Sequence, residues 1–191
     1  MRNFIPAVLL ATLWGSAARA EQIPNQVPPP TFASRLVAAA RSQTTVVTRY
    51  DPAYIKIPYP NGDVPLGTGV CTDVIIRAYR ELGIDLQAEI HHSGVGSGDT
   101  NIDHRRVEVQ RKFFAARGKS IPVTAMPQDY KPGDIVTFHL PPGGPSNTHV
   151  AIVSDRVSTD GTPLVIHNRG LGVREENWLF AAKITGHYNF E

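Results

Sequence analysis

The chain changes its periodicity near Tyr130, and that change limits the folds open to it more than any other feature. Upstream, apolar residues recur at helical spacing: Phe32, Leu36, Val37 and the alanines to Ala40, then Val74, Ile75, Ala78, Tyr79 and Leu82. The second of these helices is expected to start at about Cys71 and to stop at Gly83. A third is expected from a cap at Asn101 or Asp103 to about Arg117, just before Gly118. Downstream, short β-branched runs cover 134–140, 148–154, 164–167 and 183–188, separated by turns rich in Gly, Pro and Asp. Helices followed by antiparallel strands predict an α+β fold in which N-terminal helices pack on an antiparallel sheet. Between Tyr50 and Gly69, prolines at 52, 58, 60 and 65 exclude a long regular element, so a structured loop is expected to lead into the Cys71 helix. The glycine-rich stretch 93–99 reads as a mobile loop.

The first twenty residues form a separate unit, with Arg2, an apolar run from Phe4 to Trp14, and small residues ending in Ala18-Arg19-Ala20. That pattern is a secretory signal peptide over 1–20, and its apolar run is too short for a membrane span, which needs about twenty residues. A Pro-rich linker follows over 21–30. Residues 31–191 then form one domain, large enough to bury a core. Without the leader, which carries Arg2 and Arg19 and no acidic residue, basic and acidic side chains are equal in number. That balance gives no electrostatic basis for binding nucleic acid or an anionic membrane. Export to the periplasm or outside is the expected localisation, with no cysteine placed for lipid attachment and no stable membrane anchor.

An exported chain with one cysteine cannot form an internal disulfide. Cys71 either packs as a small apolar side chain or performs chemistry. Its place at a helix start, where unpaired amides and the positive dipole end favour thiolate over thiol, favours chemistry. A thiol nucleophile needs a base, and histidine suits that role near neutral pH. His149 opens one strand-like run and His167 closes the next. If these strands pair across the Asp160-Gly161 turn, both imidazoles reach one edge of the sheet and the second ring can orient the first. Asn168 competes with His167 for that role, because neighbouring strand residues face opposite ways. The histidines lack the spacing of a zinc site, so no metal or other cofactor is expected.

In order, Gly69-Val-Cys71-Thr-Asp73, Lys131-Pro-Gly-Asp-Ile-Val-Thr-Phe138, His149-Val-Ala-Ile-Val153 and Val165-Ile-His167 resemble blocks of the NlpC-type cell-wall peptidases. These are relatives of papain and of the CHAP amidases. The resemblance implies a papain-like domain with Cys71 as nucleophile, His149 as base and His167 as orienting residue. Over nearly the whole domain, Tyr59-Pro-Asn-Gly-Asp-Val-Pro65, Asn101-Ile-Asp-His-Arg-Arg106, Ile166-His-Asn168 and Gly186-His-Tyr188 resemble the YijF-like secreted bacterial family, whose activity is not established. Thr72 and Val70 stand where NlpC-type enzymes often carry serine and aspartate.

The cluster Asn101-Ile-Asp103-His104-Arg105-Arg106 is the most polar in the chain. It reads either as a helix cap or as a substrate contact in which Arg105 or Arg106 clamps a carboxylate of a wall peptide. Tyr59 is the candidate to stabilise an oxyanion, as loop tyrosines do in similar enzymes; packing in its Pro-rich loop is the alternative. The expected function is hydrolysis of amide or peptide bonds in peptidoglycan through a thioester, with a cell-wall peptide or amide as substrate and an inhibitor protein admitted as a partner. A non-catalytic wall-binding or regulatory module on the same fold, and an acyltransferase using the same residues, are the rival readings.

Overall fold

The computed structural model describes residues 28–143 and 146–191. The signal peptide read over 1–20 and most of the linker read over 21–30 lie outside the described residues.

Helix α1 (Phe32–Ser42) is capped by the Thr31 hydroxyl and buries Leu36, Val37, Ala39 and Ala40. Two short strands, β1 (Arg49–Tyr50) and β2 (Thr68–Gly69), pair in parallel and bracket the proline-rich loop. Helix α2 (Cys71–Glu81) buries Cys71, Val74, Ile75, Ala78 and Tyr79. Helix α3 (Leu86–Ser93) was not expected from the sequence; its only buried residues are Leu86, Gln87 and Ile90, too few for a visible helical stripe. Helix α4 (Val107–Arg117) begins after a 3-10 turn at Asp103–Arg105, later than either expected cap.

The late start has a physical cause. The Asp103 carboxylate accepts the backbone amides of Ser97, Gly98 and Asp99 at 2.7, 2.8 and 3.1 Å, so it is not available to cap α4. The glycine-rich loop expected to be mobile is therefore pinned from inside. Such charge-assisted bonds are stronger than neutral ones.

Six strands form an antiparallel sheet: β3 (Lys119–Ser120), β4 (Ile135–His139), β5 (Thr148–Val157), β6 (Pro163–Asn168), β7 (Val173–Glu176) and β8 (Lys183–Asn189). Their order is β3-β8-β4-β5-β6-β7. Because side chains alternate along a strand, the sheet has two buried faces. Ile135, Val150, Ile152 and Ile166 join the helices in one core. Val136, Phe138, Ala151, Val153 and Val165 join Tyr130, Trp178 and Leu179 in another. Edge strand β7 was also missed in the sequence, since Val173 is the only apolar residue in Val-Arg-Glu-Glu. Among the described residues no helix is long and apolar enough to cross a membrane.

The β6–β7 loop is tied to the segment entering β1 by the Val173 amide, which donates to Val47 O at 2.8 Å. Gly172 permits this approach: its φ is +82°, and a Cβ there would sit 2.6 Å from Val47 O. Gly172→Ala is expected to lower stability by about 1–3 kcal/mol, read as a lower denaturant midpoint with unchanged slope.

Candidate active site

Cys71 is the first residue of α2, and the preceding residue, Val70, is its cap in extended conformation. The start of the helix is fixed by Asp73. One carboxylate oxygen accepts the Val70 amide at 2.7 Å, and Arg105 donates Nε at 2.8 Å and Nη2 at 3.0 Å to the same carboxylate. Arg105 also donates to Ala53 O, and the Thr72 hydroxyl donates to Arg105 O. Both members of this ion pair are buried.

Near the Cys71 thiol stand the backbone amides of Val150, the residue after His149, and of Thr72 and Cys71 itself. These amides favour thiolate, but burial outweighs them and pushes the Cys71 thiol up to about 12, with Asp73 adding to the rise. The helix start thus favours thiolate, as its position in the sequence implies, while burial opposes it. Cys71 is only 5% exposed, and desolvation of an anion in that setting exceeds what one helix terminus returns.

His149 and His167 come together on neighbouring strands. Nε2 of His149 lies 2.8 Å from Nδ1 of His167, and Nε2 of His167 lies 2.9 Å from a carboxylate oxygen of Glu176 on β7. Burial, then His167 and Arg169, holds His149 well below its ordinary range. Burial holds His167 down to about 4 despite the opposing pull of Glu176. Trp178 stands edge-on to His149 with ring centres 5.4 Å apart and contacts His167 at 5.2 Å, and Arg169 stacks on the outer face of Trp178 at 4.5 Å. Asn168 turns to the other face of β6, where its amide donates to Gly69 O at 3.0 Å and pins the strand before Cys71.

Two hollows of about 340 and 320 Å³ meet at the shared walls Tyr50, Ser146 and Thr148. His149, Arg169 and Trp178 line the first; Cys71, Arg106 and Val107 line the second. Tyr50 was missed in the sequence, where Tyr59 was preferred among three tyrosines of the loop. Its position depends on the parallel pairing of Tyr50 with Gly69, which no local pattern reveals. Burial, followed by the neighbouring Cys71 and Asp73, pushes the Tyr50 hydroxyl up to about 12, so it remains a proton donor.

A family described as a domain of unknown function (DUF1287) matches residues 37–190. The chain belongs to this family. It is 42% identical to the uncharacterized protein YijF of Escherichia coli strain K12, covering 79% of this chain and 78% of that one. Among solved structures it resembles NlpC2 of Trichomonas vaginalis, with TM-score 0.50 and 21% identity over 86% of this chain and 49% of that one. It also resembles NlpC1 of the same organism, with TM-score 0.52 and 18% identity over 87% and 47%. The chain thus spans about half the length of those two structures. The fold of this chain is α+β and papain-like, of the NlpC type, as the sequence led one to expect.

Four residues proposed from the sequence to bind substrate do other work in this DUF1287 chain. Tyr59 is away from both hollows, its hydroxyl 3.2 Å from Nε2 of His92. Asp103 is occupied by the 97–99 loop, and Arg105 is turned inward onto Asp73. His104 is buried in the helical layer with Nδ1 unpartnered, and burial holds it down to about 4. Only Arg106 of the polar cluster is exposed beside Cys71. Among the described residues no group of three His, Cys, Asp or Glu side chains is placed to hold a metal ion.

Two outcomes follow for stability. Arg105→Met strands the Asp73 carboxylate in the interior, and a loss of about 3–5 kcal/mol is expected in chemical denaturation. His104 and His167 have folded-state values near 4 against an ordinary 6.5, so the unfolded chain binds more protons between those values. Their contribution is full above pH 6.5 and is lost as pH falls toward 4. Melting temperature should fall across that window, and His104→Leu should flatten the slope.

Proposed function

We propose that this chain is an exported cysteine hydrolase that cleaves amide bonds of peptidoglycan in the periplasm or outside the cell. The carrying observation is the 2.8 Å pairing of His149 Nε2 with His167 Nδ1 at a hollow that adjoins the one lined by Cys71 across the shared walls Tyr50, Ser146 and Thr148. Nδ1 is then the ring nitrogen left to serve as base. The leader pattern over 1–20 supports export, and the NlpC-type blocks support a wall peptide or amide as substrate.

In this reading the thiol is neutral at rest. Its proton passes to His149 Nδ1 as sulfur attacks the amide carbonyl carbon, and the Tyr50 hydroxyl with the amides at the start of α2 receives the developing oxyanion. Collapse breaks the C–N bond, the leaving nitrogen takes the proton from His149, and a thioester remains on Cys71. Water then attacks the thioester, giving its proton to His149. The C–S bond breaks, the acid leaves, and the proton returns to sulfur. Trp178, Phe138 and Arg169 keep bulk water from the paired rings. Arg106 is placed to meet a carboxylate of the peptide on the Cys71 side of the cleft.

Purified sacculi incubated with wild type and with Cys71→Ala provide the test, with released fragments read by mass spectrometry. Wild type should release peptide or amine-terminated fragments, and the variant should lower the rate by more than about a thousandfold. Equal release by both proteins overturns the assignment.

A further inference from the structure

The histidine pair does not end at His167. Strand β7 carries Glu176, whose carboxylate oxygen lies 2.9 Å from His167 Nε2 and 3.8 Å from Nε of Arg169. A carboxylate only accepts, so the facing Nε2 of His167 must carry the hydrogen. In a neutral ring that leaves Nδ1 bare, and a bare Nδ1 can only accept. Across the 2.8 Å contact the partner must therefore donate, which places the hydrogen of His149 on Nε2. We infer that Glu176 is a positioning residue that dictates, through His167, the tautomer in which His149 carries its hydrogen on Nε2 and leaves Nδ1 unprotonated.

The inference rests on the hydrolase reading for its consequence but not for its geometry. Burial keeps both rings neutral near pH 7, the condition under which tautomer choice matters. The charged and titratable groups around His167 are His149, Glu176, Arg169 and Arg174. Both arginines lack an acceptor, so neither can replace the carboxylate. When the thiol proton reaches Nδ1, His149 becomes an imidazolium whose Nε2–H still donates to His167 Nδ1. No second proton has to move. With the opposite tautomer of His167, Nδ1–H would donate to His149 Nε2, and the hydrogen of His149 would sit on the nitrogen that has to act as base.

Glu176→Gln separates the two arrangements, because a side-chain amide can accept from or donate to His167 and so admits both tautomers. The test reads the nitrogen resonances of the histidine rings at pH 7 and the rate at which iodoacetamide alkylates Cys71, for wild type, Glu176→Gln and His149→Ala. Melting temperature serves as the folding control. Wild type should show both rings as Nε2–H tautomers. The glutamine variant should show a mixture and a Cys71 alkylation rate at least about tenfold lower, as expected when a ring loses its orienting partner. Unchanged tautomers and an unchanged rate in Glu176→Gln overturn the inference. If His149→Ala alkylates as fast as wild type while the tautomers still redistribute in Glu176→Gln, the relay stands and the hydrolase reading fails.

Discussion

The buried ion pair between Asp73 and Arg105 is the interaction on which the rest of the site depends. Asp73 fixes the first turn of α2 by accepting the Val70 amide, and Arg105 anchors that turn to the loop at 51–53 and to the 3-10 turn before α4. The Thr72 hydroxyl closes the same assembly on Arg105 O. A one-residue slip of this helix start would carry the Cys71 sulfur away from the Val150 amide. A polar pair in the interior contributes little net stability compared with apolar packing, but it specifies one arrangement where packing alone tolerates several. That is the service a nucleophile needs from its scaffold.

The site itself is governed by desolvation. The amides at the helix start pull the thiol toward its anion, while exclusion of water pulls it back with greater effect. The same exclusion keeps His149 and His167 neutral. In the proposed mechanism the resting pair is thus thiol and imidazole, and charge separates only at the moment of attack. A neutral resting thiol is also less exposed to oxidation, because thiolate is the species that oxidants and exchange partners attack.

Much of this was legible in the chain. Strong helical stripes gave α1 and α2, and β-branched runs bounded by turns gave β4, β5, β6 and β8. Cys71, His149 and His167 stood out because each ends or begins an element, so that antiparallel pairing of β5 and β6 brings the two rings to the same edge. Elements with few apolar residues, α3 and β7, were not visible, and with β7 went Glu176. Tyr50 was hidden for a related reason: only a non-local parallel pairing sets it beside the cysteine. The polar cluster Asp103–Arg106 misled because sequence shows charge and not burial. Asp103 faces inward to hold the loop, Arg105 to hold the helix start, and His104 is buried, so that Arg106 is the exposed side chain of the four.

Burial outweighs the helix terminus at Cys71, and in the proposed mechanism the sulfur is activated only when His149 takes its proton. Since Cys71 is the only cysteine, ultraviolet absorbance of thiolate during a pH titration reports on it alone. No absorbance step is expected in the folded protein below about pH 9, the ordinary range of a free thiol. A step between about pH 4 and pH 7 that disappears in His149→Ala would reveal a standing thiolate–imidazolium pair and contradict that mechanism.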